Sequence, residues 1–355
     1  MKMEDIAALA GVSKSAVSLA FSGKPGIGQE TRERILQVAK ENGYLPKTRA
    51  AQPEASSKSL TFLVLANSGI VLEQYYQQPF FRELIHYIEV RCRAKGYSLL
   101  FTSIDVNAFS SDSHALAEDI RSEGVILLGT NLDRGQIASL ADRLPAQLVV
   151  LDTCFETLPV HFIAINNVMG GYQAGEHLCQ LGHEHIGYLA SNVRISNFDD
   201  RRKGFLSALE ERGLSIDEND IFSVAPTITS FQEELKNQLA AYQAAGRLLP
   251  TAFFCECDYI AISAIKTLTD LGFRVPEDTS VVGFDNISEA RIVSPELTTV
   301  HVEKERMAHL AVDLAIEAIE QDHAVKTKIA VDTQFIVRHS SSAPSTAAVL
   351  SKPTM

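Results

Sequence analysis

Residues 6–18 read Ile6-Ala7-Ala8-Leu9-Ala10-Gly11-Val12-Ser13-Lys14-Ser15-Ala16-Val17-Ser18. Short side chains on both sides of Gly11 let two helices cross closely over a tight Gly11-Val12-Ser13 link. The second helix then offers Lys14, Ser15 and Ser18 from its amino-terminal end. At such an end, side chains reach base edges in a major groove and backbone amides meet phosphate. Ser13 is a natural N-cap for that helix. The chemistry implied is recognition of duplex DNA. A generic helical hairpin is the alternative, and the position of the segment ahead of a third helix and a linker argues against it.

Other constellations lead nowhere catalytic. A dinucleotide enzyme needs Gly-x-Gly-x-x-Gly after its first strand, but Ala66-Asn67-Ser68-Gly69-Ile70 stands there. Gly26-Ile27-Gly28 follows a helix and reads as a turn. No Gly-x-Ser-x-Gly or His-Glu-x-x-His occurs, and His183-Glu184-His185 reads as a turn into a strand. The five cysteines (Cys92, Cys154, Cys179, Cys255, Cys257) are odd in number and scattered, which suits reduced thiols better than a disulfide framework. Cys255 and Cys257 would point to opposite faces of a strand, and no second Cys/His pair lies at zinc-site spacing. No catalytic residue, metal or cofactor is expected.

The elements that must position these groups follow from composition and periodicity. At 355 residues, 46% hydrophobic and 21% charged, the chain has the balance of a globular protein of two or three compact units. Nothing approaches the roughly 18 apolar residues of a membrane span, and no signal segment follows Met1, so a cytoplasmic protein is expected. Net charge is −12, yet residues 1–60 carry nine Lys/Arg against six Asp/Glu. A small basic module on an acidic body fits one end that meets phosphate.

Three short helices are expected before Asn42, the last from about Gln29 to Asn42 with Gly43 after it. Residues 46–59 lack large apolar side chains and read as a linker. From Leu60-Thr61-Phe62-Leu63-Val64-Leu65 onward, apolar strands alternate with amphipathic helices such as Phe81, Leu84, Ile85, Ile88, Cys92. That texture predicts an α/β body with two doubly wound parallel sheets and a ligand crevice at the carboxyl ends of the strands. Asp152 ends a strand at such an edge. The expected organisation is a head over 1–45, a linker over 46–59, a body over 60–339 and a disordered tail over 340–355. Within the body, 60–163 with 294–322 would form one half and 164–293 with 325–339 the other.

The amino-terminal string, Glu30-Thr31-Arg32-Glu33-Arg34-Ile35, Asn42-Gly43-Tyr44-Leu45-Pro46, Gly182-His183-Glu184-His185-Ile186-Gly187, Arg201-Arg202-Lys203-Gly204-Phe205, Val281-Val282-Gly283-Phe284-Asp285-Asn286 and Ser294-Pro295-Glu296-Leu297-Thr298-Thr299-Val300 occur in this order. Together they resemble the lactose-repressor (LacI/GalR) family. The resemblance implies a homodimer with two helix-turn-helix units on a near-palindromic operator and a periplasmic-binding-protein-like (type I) body that closes on a sugar or related metabolite. It implies transcriptional regulation, with repression the commoner mode. Lys14 and Ser15 match base-reading positions and Ser18 a backbone-contacting one. Arg201 and Asp285 match ligand-holding positions. The effector set so implied is Phe81, Asp152, Asn166, Arg201, Cys257, Asp258 and Asp285; the DNA set is Ser13, Lys14, Ser15, Ser18 and Leu19, with Lys47 and Arg49 on phosphates.

Departures from the family pattern matter. Leu19 stands where relatives place a polar base reader, leaving only apolar contact there. The linker Arg49-Ala50-Ala51-Gln52-Pro53-Glu54 has a proline and no leucine, so a leucine-wedged hinge helix is not expected. Asn166 replaces a usual Asp and Cys257 a usual Asn, which weakens a sugar as the effector. A transport-type binding protein shares the body fold but needs export, for which no signal is expected.

Overall fold

The computed structural model describes residues 3–22, 26–42, 58–107, 120, 122–227, 233–321 and 325–345. It divides into two units, Met1–Ser57 and Lys58–Met355. Gly43, Lys47, Arg49 and the linker up to residue 57 lie outside the described residues, and with them the expectation about a hinge helix; Ser59, expected in the linker, already belongs to the first strand.

The first unit holds α1 (Met3–Leu9), α2 (Lys14–Ser22) and α3 (Gln29–Glu41). Ile6, Ala7, Ala10, Val17, Ala20, Ile35 and Ala39 form its core. Only small residues where helices meet allow so few large side chains to close three elements. Gly11 takes φ +67°, the left-handed turn that stops α1. Ser13 Oγ accepts from the Ala16 amide at 3.2 Å, the expected cap. From α3, Arg32 donates to the carbonyls of Leu19 and Ala20, tying down the carboxyl end of α2.

The second unit is built on two six-stranded sheets. The first has the order β11 (Lys328–Val331), β5 (His161–Ile165), β4 (Gln147–Leu151), β3 (Gly124–Leu128), β1 (Ser59–Ala66), β2 (Ser98–Asp105), all parallel. The second runs β12 (Thr333–Ile336), β10 (Thr298–Val302), β9 (Ser280–Asp285), β8 (Ala252–Cys255), β6 (Ile186–Ser191), β7 (Ile221–Val224), with only β12 antiparallel. Every residue of β3, β5, β8 and β9 is buried, which is why these strands read as continuous apolar runs. Among the described residues its α-helices include α4 (Pro79–Ala94), α5 (Arg134–Arg143), α6 (Asn167–Gln180), α7 (Ser196–Glu210), α8 (Glu233–Ala244), α9 (Asp258–Asp270) and α10 (Lys304–Gln321).

Two strands fall elsewhere than the sequence suggested. β10 was expected with the first half but pairs with β9, so the chain returns to the first sheet only at α10. β11 was expected with the second half but pairs with β5, and the last crossing comes after Val331. Short exposed strands such as β11 carry no apolar run that names their neighbour. The tail is corrected as well: Ser340 is buried, its Oγ donates to the Val281 carbonyl at 2.6 Å and accepts from the Thr298 amide at 2.8 Å. His183 Nε2 lies 2.9 Å from the Ser342 carbonyl. Ser340, Ser341 and Ser342 are thus bonded to the second sheet, and 346–355 lie outside the described residues.

Helices α6 and α7 cross so closely that glycines are obligatory. A Cβ on Gly204 would overlap the Val168 carbonyl, and one on Gly171 the Arg201 carbonyl. The crossing sets where α7 carries its polar residues.

Candidate functional site

In the first unit, Ser13, Lys14, Ser15 and Ser18 are exposed along the first turns of α2, while Leu19 is half-buried. The four short or flexible polar side chains share the end of the helix whose amides face outward, the arrangement required for backbone and base contact. Leu19 lies within 3.2 Å of where a Cβ on Gly26 would stand, so its side chain packs partly on the turn after α2.

In the second unit a cleft with about 360 Å³ of empty space, its open mouth included, lies between the two sheets. Strands deliver its polar residues at their carboxyl ends: Thr130 after β3, Asp152 after β4 and Asp285 at the end of β9. Helix α4 brings Phe80 and Phe81, α7 brings Asn197, Phe198 and Arg201, and α9 brings Tyr259, with Ile70, Ile195 and Cys257 completing the wall. Both aspartates hold unusual backbones, φ 69° at Asp152 and φ 113° at Asp285. Such strain persists only where surrounding contacts enforce it.

Arg201 is 3% exposed, and each of its three nitrogens faces an acceptor. Its Nε donates to Asn167 Oδ1 at 2.9 Å and Nη1 to the Glu256 carbonyl at 2.6 Å. Nη2 lies 2.9 Å from Asp285 Oδ1, and the guanidinium carbon stands 3.7 Å from the Phe284 ring centre. The Asp285 contact pairs the charges, but its angle is poor for a hydrogen bond, so the buried Oδ1 has no well-directed donor. Glu256 is itself fully buried and held by Arg194, Tyr188 and the Ser191 amide, which fixes the carbonyl that Arg201 uses.

Asp152 accepts from Thr130 Oγ1 at 2.6 Å within its own half and from Asn197 Nδ2 at 3.1 Å across the cleft. A second bridge runs from the Phe80 amide to the Tyr259 hydroxyl at 3.1 Å. Burial pushes the Asp152 carboxyl up to about 6, opposed by the Thr130 hydrogen bond and the Arg201 charge. Asp285 is likewise raised by burial, with Arg201 and Lys304 opposing. Lys304 does not line the cleft; its Nζ donates to the Asp285 carbonyl at 2.9 Å and lies 3.3 Å from Glu83.

Of the expected effector residues, the structure brings Phe81, Asp152, Arg201, Cys257 and Asp285 together. Asn166 is instead the N-cap of α6, accepting from Met169 and donating to Asp332, away from the cleft. Its neighbour Asn167 faces Arg201. Asp258 is fully buried and binds Thr299 Oγ1 and the Ile287 amide, fastening the start of α9 to the β9–β10 side of the second sheet. Burial and then the Asp285 charge push its carboxyl up to about 8. Sequence reasoning missed Thr130, Asn197, Phe80, Phe198 and Tyr259. Thr130 was findable, since it follows its strand as Asp152 does, and Asn197 sits one helical turn before Arg201 on the same face.

Among the described residues no group of His, Cys, Asp and Glu could hold a metal ion, and no helix is long and apolar enough to cross a membrane.

Residues 2–47 match the family of bacterial regulatory proteins, lacI family, and residues 176–341 match a periplasmic binding protein-like domain. The HTH-type transcriptional repressor PurR of Mannheimia succiniciproducens is 31% identical over 347 residues, covering 95% of this chain and 98% of the relative. PurR of Pasteurella multocida is 30% identical over 339 residues, with the same coverage. Among solved structures, a complex of the transcriptional regulator CelR with cellobiose superposes with TM-score 0.70 at 24% identity, covering 96% of this chain and 99% of CelR. A lac repressor dimer bound to operator and the anti-inducer ONPF gives 0.68 at 23% identity, covering 97% and 99%. These two likenesses establish the fold.

Proposed function

The chain belongs to the lacI family of bacterial regulatory proteins, and from that membership we propose how its two units divide the work. It is a DNA-binding transcriptional repressor with an effector-binding domain of the periplasmic-binding-protein kind. A homodimer in the cytoplasm places two copies of α2 on a near-palindromic operator, Lys14 and Ser15 at base edges and Ser13 and Ser18 toward the backbone. Lys47 and Arg49 track phosphates from the linker. A small-molecule effector occupies the cleft against Phe81, Asp152, Arg201, Cys257 and Asp285. No catalysis, cofactor or metal enters.

The observation that carries this reading is the pair of bridges across the cleft, Asn197 to Asp152 and Phe80 to Tyr259, beside a buried charged cluster. A ligand that inserts there must exchange those bonds for its own, and so couples occupancy to the relative position of the two halves. Footprinting on the promoter beside its own gene tests the DNA assignment. The expected footprint spans two half-sites and is lost on combining Lys14→Ala with Ser15→Ala. A single half-site, or unchanged affinity in the double variant, would remove the assignment.

A further inference from the structure

We infer that Glu83 and Lys304 are positioning residues for the cleft, an ion pair behind its wall that fixes where Asp285 stands relative to α4. Through that placement the pair sets the angle between the two halves that operator binding senses. This deepens the regulator reading and rests on it.

Lys304 opens α10, where the chain leaves the second sheet for the first half. Its side chain is 3% exposed, and an ammonium so buried needs its charge and its three donors matched. The partners come from both halves. From the second half, the carbonyls of Asp285 and Asn286 accept at 2.9 and 3.3 Å. From the first, Glu83 Oε2 on α4 lies 3.3 Å away, and the ring centre of Phe80, one turn earlier on that helix, stands at 5.6 Å. Glu83 also reaches the second half directly, its Oε1 accepting from the Ser288 amide at 3.2 Å.

The backbone that Lys304 holds is strained. Asp285 and Asn286 take φ 113° and 48° in succession at the end of β9, and neither is glycine. Such a turn persists only where contacts over-determine it. Besides Lys304, Arg338 Nη2 donates to Asn286 Oδ1 at 2.7 Å, and His301 Nδ1 lies 2.9 Å from Asn286 Nδ2. His301 is on β10 and Arg338 follows β12, so both travel with the turn. Lys304 differs, because its countercharge rides on α4. That helix carries Phe80 and Phe81 into the cleft, while the turn carries the Asp285 carboxylate. A ligand that touches Asp285 and Phe81 therefore acts on both ends of one clamp. The nearby Arg82 and Glu289 pair, 3.6 Å apart and partly exposed, is a weaker tie that water screens.

Two variants test this in the full-length protein. Glu83→Gln keeps shape and an acceptor for Ser288 while removing the countercharge; Lys304→Met keeps the stem and removes charge and donors. Hydrogen exchange by mass spectrometry reads the amides bonded across the halves, Phe80 to Tyr259 and Ser288 to Glu83. In both variants the peptides holding Phe80 and Ser288 should accelerate roughly tenfold more than β8, an inner strand of the second sheet. Because glutamine still offers Ser288 an acceptor, faster exchange there reports the halves parting and not a deleted bond. Acceleration of β8 by the same factor, in step with a lower melting temperature, marks a merely structural pair and overturns the inference, as does unchanged exchange at Phe80 and Ser288. Where Lys304→Met fails to fold, Glu83→Gln decides alone, its side chain being 25% exposed. The second readout is the Kd for the duplex found by footprinting, with no small molecule added. It should shift by about fivefold or more in either variant, although neither residue belongs to the first unit. An unchanged Kd overturns the inference while wild-type operator binding keeps the regulator reading in place. Absence of any footprint defeats that reading, and the exchange result still decides whether the pair positions the halves.

Discussion

Replacing Arg201 with methionine removes the cation from the centre of the cleft while keeping most of the apolar volume. Two acceptors, Asn167 Oδ1 and the Glu256 carbonyl, lose their donor, and Asp285 loses its charge partner. Arg201 and Asp285 are 4% and 7% exposed as side chains, so water does little to rescue them. Breaking a buried pair from one side costs about 3–5 kcal/mol. Asp285 can limit the loss by taking up a proton, which burial already favours. Adding Asp285→Asn removes the stranded charge, so the double variant should regain about 2 kcal/mol relative to additivity, a coupling energy typical of contacting residues. Far-UV circular dichroism is the suitable probe, because the chain has no tryptophan. The single variant should melt on the order of 10 °C lower. A loss below about 1 kcal/mol, the level of an exposed ion pair, or strict additivity in the cycle, would refute the claim that Arg201 is committed to Asp285.

Two further outcomes follow from the same geometry. Gly204→Ala drives a methyl into the Val168 carbonyl, so α6 and α7 must part; a loss of about 1–3 kcal/mol is expected, with weaker cleft binding because Arg201 and Asn197 ride on α7, and an unchanged melting curve would contradict the close crossing. His161 is depressed to about 4 by burial and accepts from the Thr327 amide. The unfolded chain therefore binds this proton first, and stability contributed by neutral His161 falls as pH drops from 6.5 toward 4. His161→Gln should flatten that limb in pH-dependent melting, and a limb of the same slope in the variant would assign it elsewhere.

Much of this fold was legible because buried parallel strands leave continuous apolar runs, as β1, β3, β4, β8 and β9 do. β10 and β11 were misplaced for a related reason: the sequence shows that a strand forms and is silent on which sheet it joins. The tail reads as disordered by composition, yet Ser340 and Ser342 are short enough to bond within the second sheet, and composition does not register such a fit. In the cleft, the strand-end rule found Asp152, and the family resemblance found Arg201 and Asp285. Asn166 was misjudged because adjacent asparagines differ only in which face of α6 they start, and the cap took the first. Asp258 was misjudged because a carboxyl at a helix start reads alike whether it faces a ligand or a neighbouring strand.

The central claim is that the cleft and the operator are linked through one molecule. The direct measurement is the operator Kd of the full-length protein, by fluorescence anisotropy, with and without a saturating ligand whose cleft binding is lost in Arg201→Met. Linkage predicts a change of roughly 5–150-fold, matched by an equal change in ligand affinity when operator is present. A ligand that binds in the cleft and leaves the operator Kd unaltered would contradict the account.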